Sequence, residues 1–214
     1  MSFASIILAA GKGARIGKCK AALPFGASGE TLLSHIISTY INAGVNNILV
    51  VTGNWKEETV TAARNFSSVV RFINNNNPGI GMFSSVHKGV SSIDNCIKNF
   101  FVHPVDIPLV KEETLLRMKD TVLNSKSNKI YAVPICKNEE GHPVLISSLL
   151  IPELLNWNGE CGLRGFLSSQ KSNKETVNVD DEGTLFDIDD NEYYAEILRR
   201  IILMERQQPK TGGR

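Results

Sequence analysis

The chain has 214 residues, of which 42% are hydrophobic and 21% are charged, proportions that are typical of a globular protein and exclude wholesale disorder. The 23 lysines and arginines nearly balance the 22 aspartates and glutamates, for a net charge of +1, which argues against broad electrostatic binding to nucleic acid or anionic membrane. No apolar run approaches the roughly 20 residues of a membrane span, and the four cysteines form no CxxC pair. We therefore expect a cytoplasmic protein with reduced thiols.

The first half of the chain alternates apolar runs with helical patterns. Strands are predicted over residues 5–10, 47–52, 69–74 and 99–105, and the helices between them over 31–43, 55–66 and 82–93. This alternation predicts βαβ units with right-handed crossovers, and therefore a mostly parallel sheet. His103, inside the last of these strands, is interpreted as a packed side chain.

The second half continues the series without a linker-like interruption. Helices are predicted over 111–124, 151–155, 162–170 and 192–205, and strands over 129–136, 142–146 and 176–179. We interpret residues 1–206 as one three-layer α/β domain with a mostly parallel twisted sheet, and residues 207–214 as a flexible polar tail. Ligands of such sheets bind at the carboxyl ends of the strands, which directs attention to the loops that follow them.

The first of these loops, residues 11–20, is called the glycine loop below, and it contains three glycines and four cationic side chains. Glycines let backbone N–H groups approach a phosphate closely, while Arg15 and Lys20 offer a planar fork and a point charge to its oxygens. The Walker A pattern is absent, and Ile16 occupies the last glycine position of a GxGxxG string, so the dinucleotide fingerprint fails. The composition favours phosphate binding over a merely flexible basic turn.

Asp106 follows a buried strand and precedes Pro108 by two residues. A carboxylate at the end of a strand is well placed to hold a divalent cation against bound phosphates, since Mg²⁺ takes only one or two protein carboxylates. The alternative is that Asp106 caps the helix that follows. A second acidic group spans residues 180–190; the helix macrodipole favours acidic residues ahead of a helix, so most of these carboxylates are expected to be solvated, with one completing the metal site.

Residues 8–26 resemble the signature loop LAAGxSxRMGxxKxLLPxxG of the molybdenum cofactor nucleotidyltransferases, within the MobA-like NTP transferase family and nearest to its cytidylyltransferase branch. Ile16 stands in place of the signature methionine, and Gly13 in place of its serine. Further segments follow in family order: GMFSSVHKGV at 81–90, DIP at 106–108, GHPV at 141–144, GLRGFL at 162–167, and DIDDNEYY at 187–194 in place of DIDTPEDY. The resemblance spans most of residues 5–198 and implies a Rossmann-like fold of the nucleotide-diphospho-sugar transferase type, related to the GT-A fold.

The resemblance implies a Mg²⁺-dependent enzyme that transfers NMP from an NTP, with CTP favoured by the LAAG form of the loop, to a phosphate-bearing acceptor such as molybdopterin. Arg15, Lys20 and Asp106 would be the catalytic residues, and Asp106 and Asp189 would bind the metal. The nucleotide-binding residues would be Leu8, Ala9, Ala10, Gly11, Lys12, Gly13, Ser84 and Ser85. The acceptor side would contain His142, Pro143 and Arg164.

Two alternatives remain open at this stage. The acceptor could be a sugar 1-phosphate or another small phosphate compound, because the phosphate-handling residues would look the same. The chain could also be a catalytically weak nucleotide-binding homologue, since the 187–194 element lacks the family's Thr and Pro. The implied partners are the NTP and the acceptor, with neither nucleic acid nor membrane, and with room for a transient contact with a protein of molybdoenzyme maturation.

Overall fold

A computed structural model describes residues 2–13, 15–26, 29–127 and 130–207. The strands are β1 (Phe3–Ala9), β2 (Pro24–Phe25), β3 (Glu30–Thr31), β4 (Asn47–Thr52), β5 (Val70–Asn74), β6 (Asn99–Pro104), β7 (Tyr131–Cys136), β8 (Glu139–Glu140), β9 (Val144–Ser147) and β10 (Lys174–Asn178). The helices are α1 (Leu32–Asn42), α2 (Lys56–Ala62), α3 (Met82–Val90), α4 (Glu112–Asn124), α5 (Ile151–Leu155), α6 (Gly162–Ser169) and α7 (Asn191–Gln207). Short 3₁₀ turns lie at Lys20–Ala22, Arg64–Phe66, Pro78–Ile80, Ser148–Leu150, Lys171–Asn173 and Glu182–Thr184.

The main sheet has the strand order β10-β7-β9-β6-β1-β4-β5, with β8 paired to β7, and β2 and β3 form a separate hairpin. The pairs β1–β4, β1–β6, β4–β5 and β7–β10 are parallel, whereas β9 runs antiparallel to both β6 and β7. The predicted mostly parallel sheet is therefore confirmed. The chain moves outward from β1 to β5 and returns on the other side of β1 as β6, so the strand order reverses between β1 and β6, where such sheets bind ligands.

Alternate side chains of β1 face two different helical layers. Ile7 and Ala9 pack in a cluster with side chains of α1 and α4, whereas Ile6 and Leu8 pack with α3, α5 and α6 on the opposite face. A strand that is buried on both faces reads as a continuous apolar run, as β1 does. The helices cover both faces of the sheet, which confirms the three-layer α/β fold.

A third apolar cluster joins the glycine loop to the end of the chain. Its buried members are Ile16, Leu23, Phe25, Leu32, Ile188 and Ile197. Ile16 lies next to Arg15 in sequence, and Ile188 lies next to Asp189. The cluster therefore brings the backbone next to Arg15 and the backbone next to Asp189 close together.

Most element bounds agree with the sequence-based expectations, and α1 begins after Thr31 in a capping box in which Thr31 Oγ1 accepts from Ser34 N at 3.1 Å. The β8 strand was not predicted. A two-residue turn at Lys137 and Asn138 precedes it, with φ of 51° and 67°. Glycine usually marks such hairpin turns in a sequence, and this turn contains none.

Some expectations fall partly outside the described residues. Ala14 of the glycine loop, Lys129 of a predicted strand and residues 208–214 of the predicted tail all do. The assignment of Gln207 to the tail is wrong, because α7 continues through that residue. No helix in the described part of the chain is both long and apolar enough to cross a membrane.

Candidate functional site

A cleft of about 470 Å³ opens at the carboxyl ends of β1 and β6. The chain after β4 and β5 contributes to its walls through Trp55 and Pro78, as expected for a site at the strand ends of a parallel sheet. Its lining residues are Leu8, Ala9, Ala10, Gly11, Lys12, Gly13, Arg15, Cys19, Lys20, Ala21, Trp55, Pro78, Met82, Ser85, Pro104, Val105, Asp106 and Asp189.

The glycine loop is shaped by its own backbone and by one buried side chain. The carbonyl of Gly13 accepts from the N–H of Ile16 at 3.1 Å and of Gly17 at 2.7 Å. Gly13 has φ +60°, and a Cβ there would lie 2.3 Å from the carbonyl oxygen of Lys18, so a larger residue does not fit. Ile16 is buried while the Arg15 side chain is 72% exposed, so the loop is anchored by an apolar contact and presents its cation to the cleft.

Two cationic and two anionic side chains meet at the mouth of this loop. Lys20 Nζ lies 3.0 Å from Asp106 Oδ2 and 3.4 Å from Asp189 Oδ1. The guanidinium of Arg15 donates to Asp189 Oδ2 at 2.8 Å. Three distant segments of the chain thus bring these four predicted residues into one cluster, which is called the ion-pair cluster below.

The donor set of the ion-pair cluster suits a hard divalent cation. Asp106 and Asp189 converge on the same ammonium group, so their oxygens face a common point. The described residues contain no group of three or more His, Cys, Asp or Glu side chains that could hold a metal. Mg²⁺ does not require one, because water and substrate phosphates complete its octahedral coordination.

Asp106 lies on a tight turn, residues 104–107, which is called the Asp106 turn below. Ile107 N donates to Pro104 O at 3.2 Å, and Pro104 is the last residue of β6. The carbonyl of Asp106 accepts from Ile188 N at 2.7 Å. This backbone bond ties the Asp106 turn directly to the segment that carries Asp189.

Asp181, rather than Asp106, contacts the start of α4. Asp181 Oδ2 accepts from Lys111 N at 2.8 Å and from Thr114 Oγ1 at 2.7 Å, and Oδ1 accepts from Gly183 N at 3.1 Å. Asp181 is 2% exposed, so it is an exception to the expectation that most carboxylates of the C-terminal acidic group are solvated. Its two partners at the start of α4 lie 70 and 67 residues away in sequence, so no local pattern identifies this contact.

The two predicted nucleotide-binding serines differ in orientation. Ser85 lines the cleft, whereas Ser84 Oγ donates to Gly81 O at 2.7 Å, within its own turn. Asn75, which is 7% exposed, donates from Nδ2 to both hydroxyls, at 2.9 and 3.0 Å. Asn75 was missed by the sequence reasoning, because it stands in a run of four asparagines that reads as loop composition.

Trp55 is a second residue that the sequence reasoning did not place in the site. Its ring lines the cleft and its Nε1 donates to Lys12 O at 3.0 Å. The bond fixes the glycine loop against the chain that follows β4. The sequence feature that could have placed Trp55 in the site was its position shortly after the carboxyl end of the predicted strand 47–52.

The predicted acceptor-side residues His142, Pro143 and Arg164 are not among the described residues that line the cleft. Burial lowers the pKa of His142, while the nearby carboxylates of Asp106 and Asp187 act in the opposite direction. The His142 ring is therefore within electrostatic range of the Asp106 turn, and its buried Nδ1 has no hydrogen-bond partner among the described residues. Arg164 is exposed on α6, so the acceptor role of all three stays a prediction.

Comparison with known proteins identifies a matching family and several relatives. The model of the MobA-like NTP transferase domain matches residues 5–175. The bifunctional protein GlmU of Clostridium perfringens is 26% identical over 152 residues, and this match covers 66% of the chain but only 31% of GlmU. The chain thus spans about a third of the length of that curated relative.

Solved structures share the fold over nearly the whole chain. A nucleotidyl transferase from Methanothermobacter thermautotroptrophicus has a TM-score of 0.79 at 19% identity and covers 95% of this chain and 99% of its own. Rv0371c of Mycobacterium tuberculosis, in complex with manganese, has a TM-score of 0.72 at 19% identity, covering 93% and 99%. A cytidylyltransferase from Leptospira borgpetersenii has a TM-score of 0.66 at 14% identity, covering 100% and 98%. At these identities the likeness concerns the fold.

Proposed function

The chain belongs to the MobA-like NTP transferase family and is a nucleotidyltransferase, and we propose that it transfers CMP from CTP to a phosphate-bearing acceptor such as molybdopterin, with release of pyrophosphate. The observation that carries this proposal is the ion-pair cluster at the mouth of the glycine loop, where Lys20 contacts both Asp106 and Asp189. Cations for a polyphosphate and carboxylates for its metal lie within one cleft. The proposal treats residues 1–206 as one domain.

The glycine loop would bind the triphosphate. Backbone N–H groups of residues 11–13 can approach phosphate oxygens closely, because Gly11 and Gly13 carry no side chain. Arg15 and Lys20 would exchange their carboxylate partners for the oxygens of the β- and γ-phosphates. These contacts would orient the α-phosphate and stabilise the pyrophosphate as it leaves.

Asp106 and Asp189 would hold the divalent cation, for which we propose Mg²⁺. When bound, the cation neutralises the charge that develops on the phosphate oxygens during in-line displacement. The manganese complex of the M. tuberculosis neighbour supports a metal site in this fold. The Asp106 turn keeps one carboxylate fixed while the Asp189 segment is tied to it through Ile188.

For the chemical step, the protein would mainly position the acceptor phosphate against the α-phosphorus of the NTP. An oxygen of the acceptor phosphate forms a bond to the α-phosphorus, the bond from that phosphorus to the bridging oxygen breaks, and the electron pair leaves with pyrophosphate. A phosphomonoester is already an anion near neutral pH, so no general base is required. The ring of His142, buried close to the Asp106 turn, would lie on the acceptor side with Pro143 and Arg164.

The choice of CTP follows from the resemblance of residues 8–11, LAAG, to the cytidylyltransferase branch of the family. A cytidylyltransferase among the structural neighbours supports it. Ser85 and the residues around it would contact the nucleoside, with Asn75 holding the serine hydroxyl in place.

A pyrophosphate-release screen tests the proposal. The purified protein is incubated with CTP, GTP, ATP or UTP in Mg²⁺, with and without molybdopterin. We expect release that requires molybdopterin and is fastest with CTP. Release with another small phosphate compound and not with molybdopterin would contradict the proposed acceptor, and nucleotide binding without any release would contradict catalysis.

A further inference from the structure

Beneath the Asp106 turn lies a buried pair of polar side chains, Tyr40 of α1 and His103 of β6, that the proposed mechanism does not use. Tyr40 is fully buried and His103 is 2% exposed. His103 Nε2 lies 2.8 Å from the carbonyl oxygen of Ile107, and His103 Nδ1 lies 2.9 Å from the hydroxyl of Tyr40. The imidazole therefore bridges the body of α1 and the last residue of the turn.

The partners of the ring determine its tautomer. A carbonyl oxygen only accepts, so Nε2 carries the hydrogen and donates to Ile107 O. Nδ1 is then a lone-pair acceptor, and the hydroxyl of Tyr40 donates to it. Burial lowers the pKa of His103 to about 4, so the ring is neutral near pH 7 and this arrangement persists under ordinary conditions.

The bond to Ile107 O holds the turn that presents Asp106 to the cleft. Ile107 closes this turn through its N–H to Pro104 O. Because Val105 and Ile107 are both buried, apolar packing alone could fill the space under the turn. A buried tyrosine hydroxyl and a buried imidazole cost free energy unless both are hydrogen-bonded, and here each polar atom of the ring has one directional partner.

We propose that Tyr40 and His103 are positioning residues for nucleotidyl transfer, which fix the Asp106 turn so that its carboxylate meets Asp189 at the metal site. The inference rests on the proposed function for its catalytic meaning. Tyr40 sets the rotation of the ring about its axis, the ring sets the carbonyl of Ile107, and the turn sets the direction of Asp106. Neither residue is among those that line the cleft.

The test compares two conservative substitutions that remove one buried tyrosine hydroxyl each. Tyr40→Phe breaks the bond to His103, whereas the control Tyr131→Phe breaks an equally buried bond from Tyr131 to Leu167 O, 2.9 Å long. The first readout is amide hydrogen exchange of peptides that contain residues 104–108 and 187–189. The second is Mn²⁺ binding, measured by electron paramagnetic resonance in the presence of a non-hydrolysable α,β-methylene CTP analogue.

We expect Tyr40→Phe to speed exchange in both peptides and to weaken Mn²⁺ binding about tenfold, the scale of losses seen when partners of metal ligands are removed. Tyr131→Phe should leave both readouts at the wild-type level. At position 103, His103→Gln keeps a donor near Nε2 and should retain more Mn²⁺ affinity than His103→Leu. Equal behaviour of Tyr40→Phe and Tyr131→Phe in both readouts would overturn the inference.

The two readouts also separate this inference from the proposed function. If the wild-type protein binds no Mn²⁺ with the CTP analogue or with the corresponding analogues of the other three NTPs, the proposed metal-dependent function fails. The exchange of residues 104–108 still decides the inference in that case, because faster exchange specific to Tyr40→Phe supports positioning of the turn and unchanged exchange refutes it.

Discussion

The glycine loop and the Asp106 turn lie on either side of the ion-pair cluster, and they are held in different ways. The backbone of the glycine loop is curved by bonds from nearby residues to Gly13 O, and contacts of Ile16 and of Lys12 O join the loop to residues farther along the chain. The Asp106 turn is held by distant segments of the chain, by Tyr40 through the His103 ring and by Ile188 through its N–H. One side of the site is thus a local backbone conformation, and the other is a product of tertiary packing.

This difference separates two kinds of sensitivity. Changes at Gly13 should affect ligand binding more than global stability, because the bonds that Gly13 O accepts come from adjacent residues of the loop. Changes around the Asp106 turn should affect stability and metal binding together. The following predictions, from the largest effect to the smallest, test that distinction.

Lys20→Ala should lower kcat/KM about a hundredfold, the equivalent of about 3 kcal/mol, by analogy with the loss of a single preorganised donor. Lys20 is the group that contacts both carboxylates. Its loss would remove a positive charge that compensates the negative charge of the leaving pyrophosphate. Steady-state pyrophosphate release measures the effect. Lys18→Ala is the matched control, since Lys18 is an exposed cation of the same loop that does not line the cleft. A folded Lys20→Ala protein with wild-type activity would refute the role.

Asp106→Asn should raise the Mg²⁺ concentration for half-maximal activity by about tenfold or more, because a neutral amide replaces one of two carboxylate ligands. A Mg²⁺ titration of the initial rate measures it. Asp120→Asn, at an exposed position of α4, provides the control. A wild-type Mg²⁺ response in Asp106→Asn would count against metal binding by this turn.

Asp181→Ala should lower the free energy of unfolding by about 2 kcal/mol, because it leaves Lys111 N and Thr114 Oγ1, at the start of α4, without their shared buried acceptor. Chemical denaturation measures the loss. Asp180→Ala, the exposed neighbour, should change stability little. Equal stability of the two variants would show that the C-terminal segment is not held to α4 through this carboxylate.

The protein should become less stable as the pH falls from about 7 to about 5.5. The pKa of His103 is about 4 in the folded state and about 6.5 when unfolded, so the unfolded chain binds the additional proton in this range and stability decreases with acid. One such group contributes about 1.2 kcal/mol over the interval. Burial lowers the pKa of His35 and His142 in the same direction. Denaturation curves at several pH values should show a shallower dependence in His103→Gln, and an identical slope would contradict the assignment.

Gly13→Ala should destabilise the glycine loop by about 1 kcal/mol more than Gly17→Ala. Both glycines have positive φ, +60° and +68°, but of the two only Gly13 would place a Cβ against another group, Lys18 O. We expect weaker CTP binding by isothermal titration calorimetry in Gly13→Ala, with global stability near wild type. A large loss of global stability would mean that the loop is integrated into the core after all.

The same contrast explains what the sequence could and could not predict. Periodicity located the principal strands and helices, and the short apolar run of β1 indicated a strand that is buried on both faces. The glycine loop was recognised because its glycines and cationic residues lie close together in the sequence. Asn75, Asp181 and the role of His103 were missed because each acts through a contact that depends on tertiary packing: Asp181 reaches partners 67 and 70 residues away. His103 was correctly interpreted as packed, but a sequence does not reveal which carbonyl its ring faces.

The ion-pair cluster also bears on how ligands enter the cleft. Two positive and two negative side chains cancel one another there, so a nucleotide arriving alone would draw the cations away and leave two carboxylates uncompensated. A metal ion arriving alone would leave two cations in excess. When both arrive, all partners are exchanged at once, so each should tighten the other's binding, and by the same factor in either order. We therefore expect the cleft to bind the metal–nucleotide complex more tightly than either component by itself.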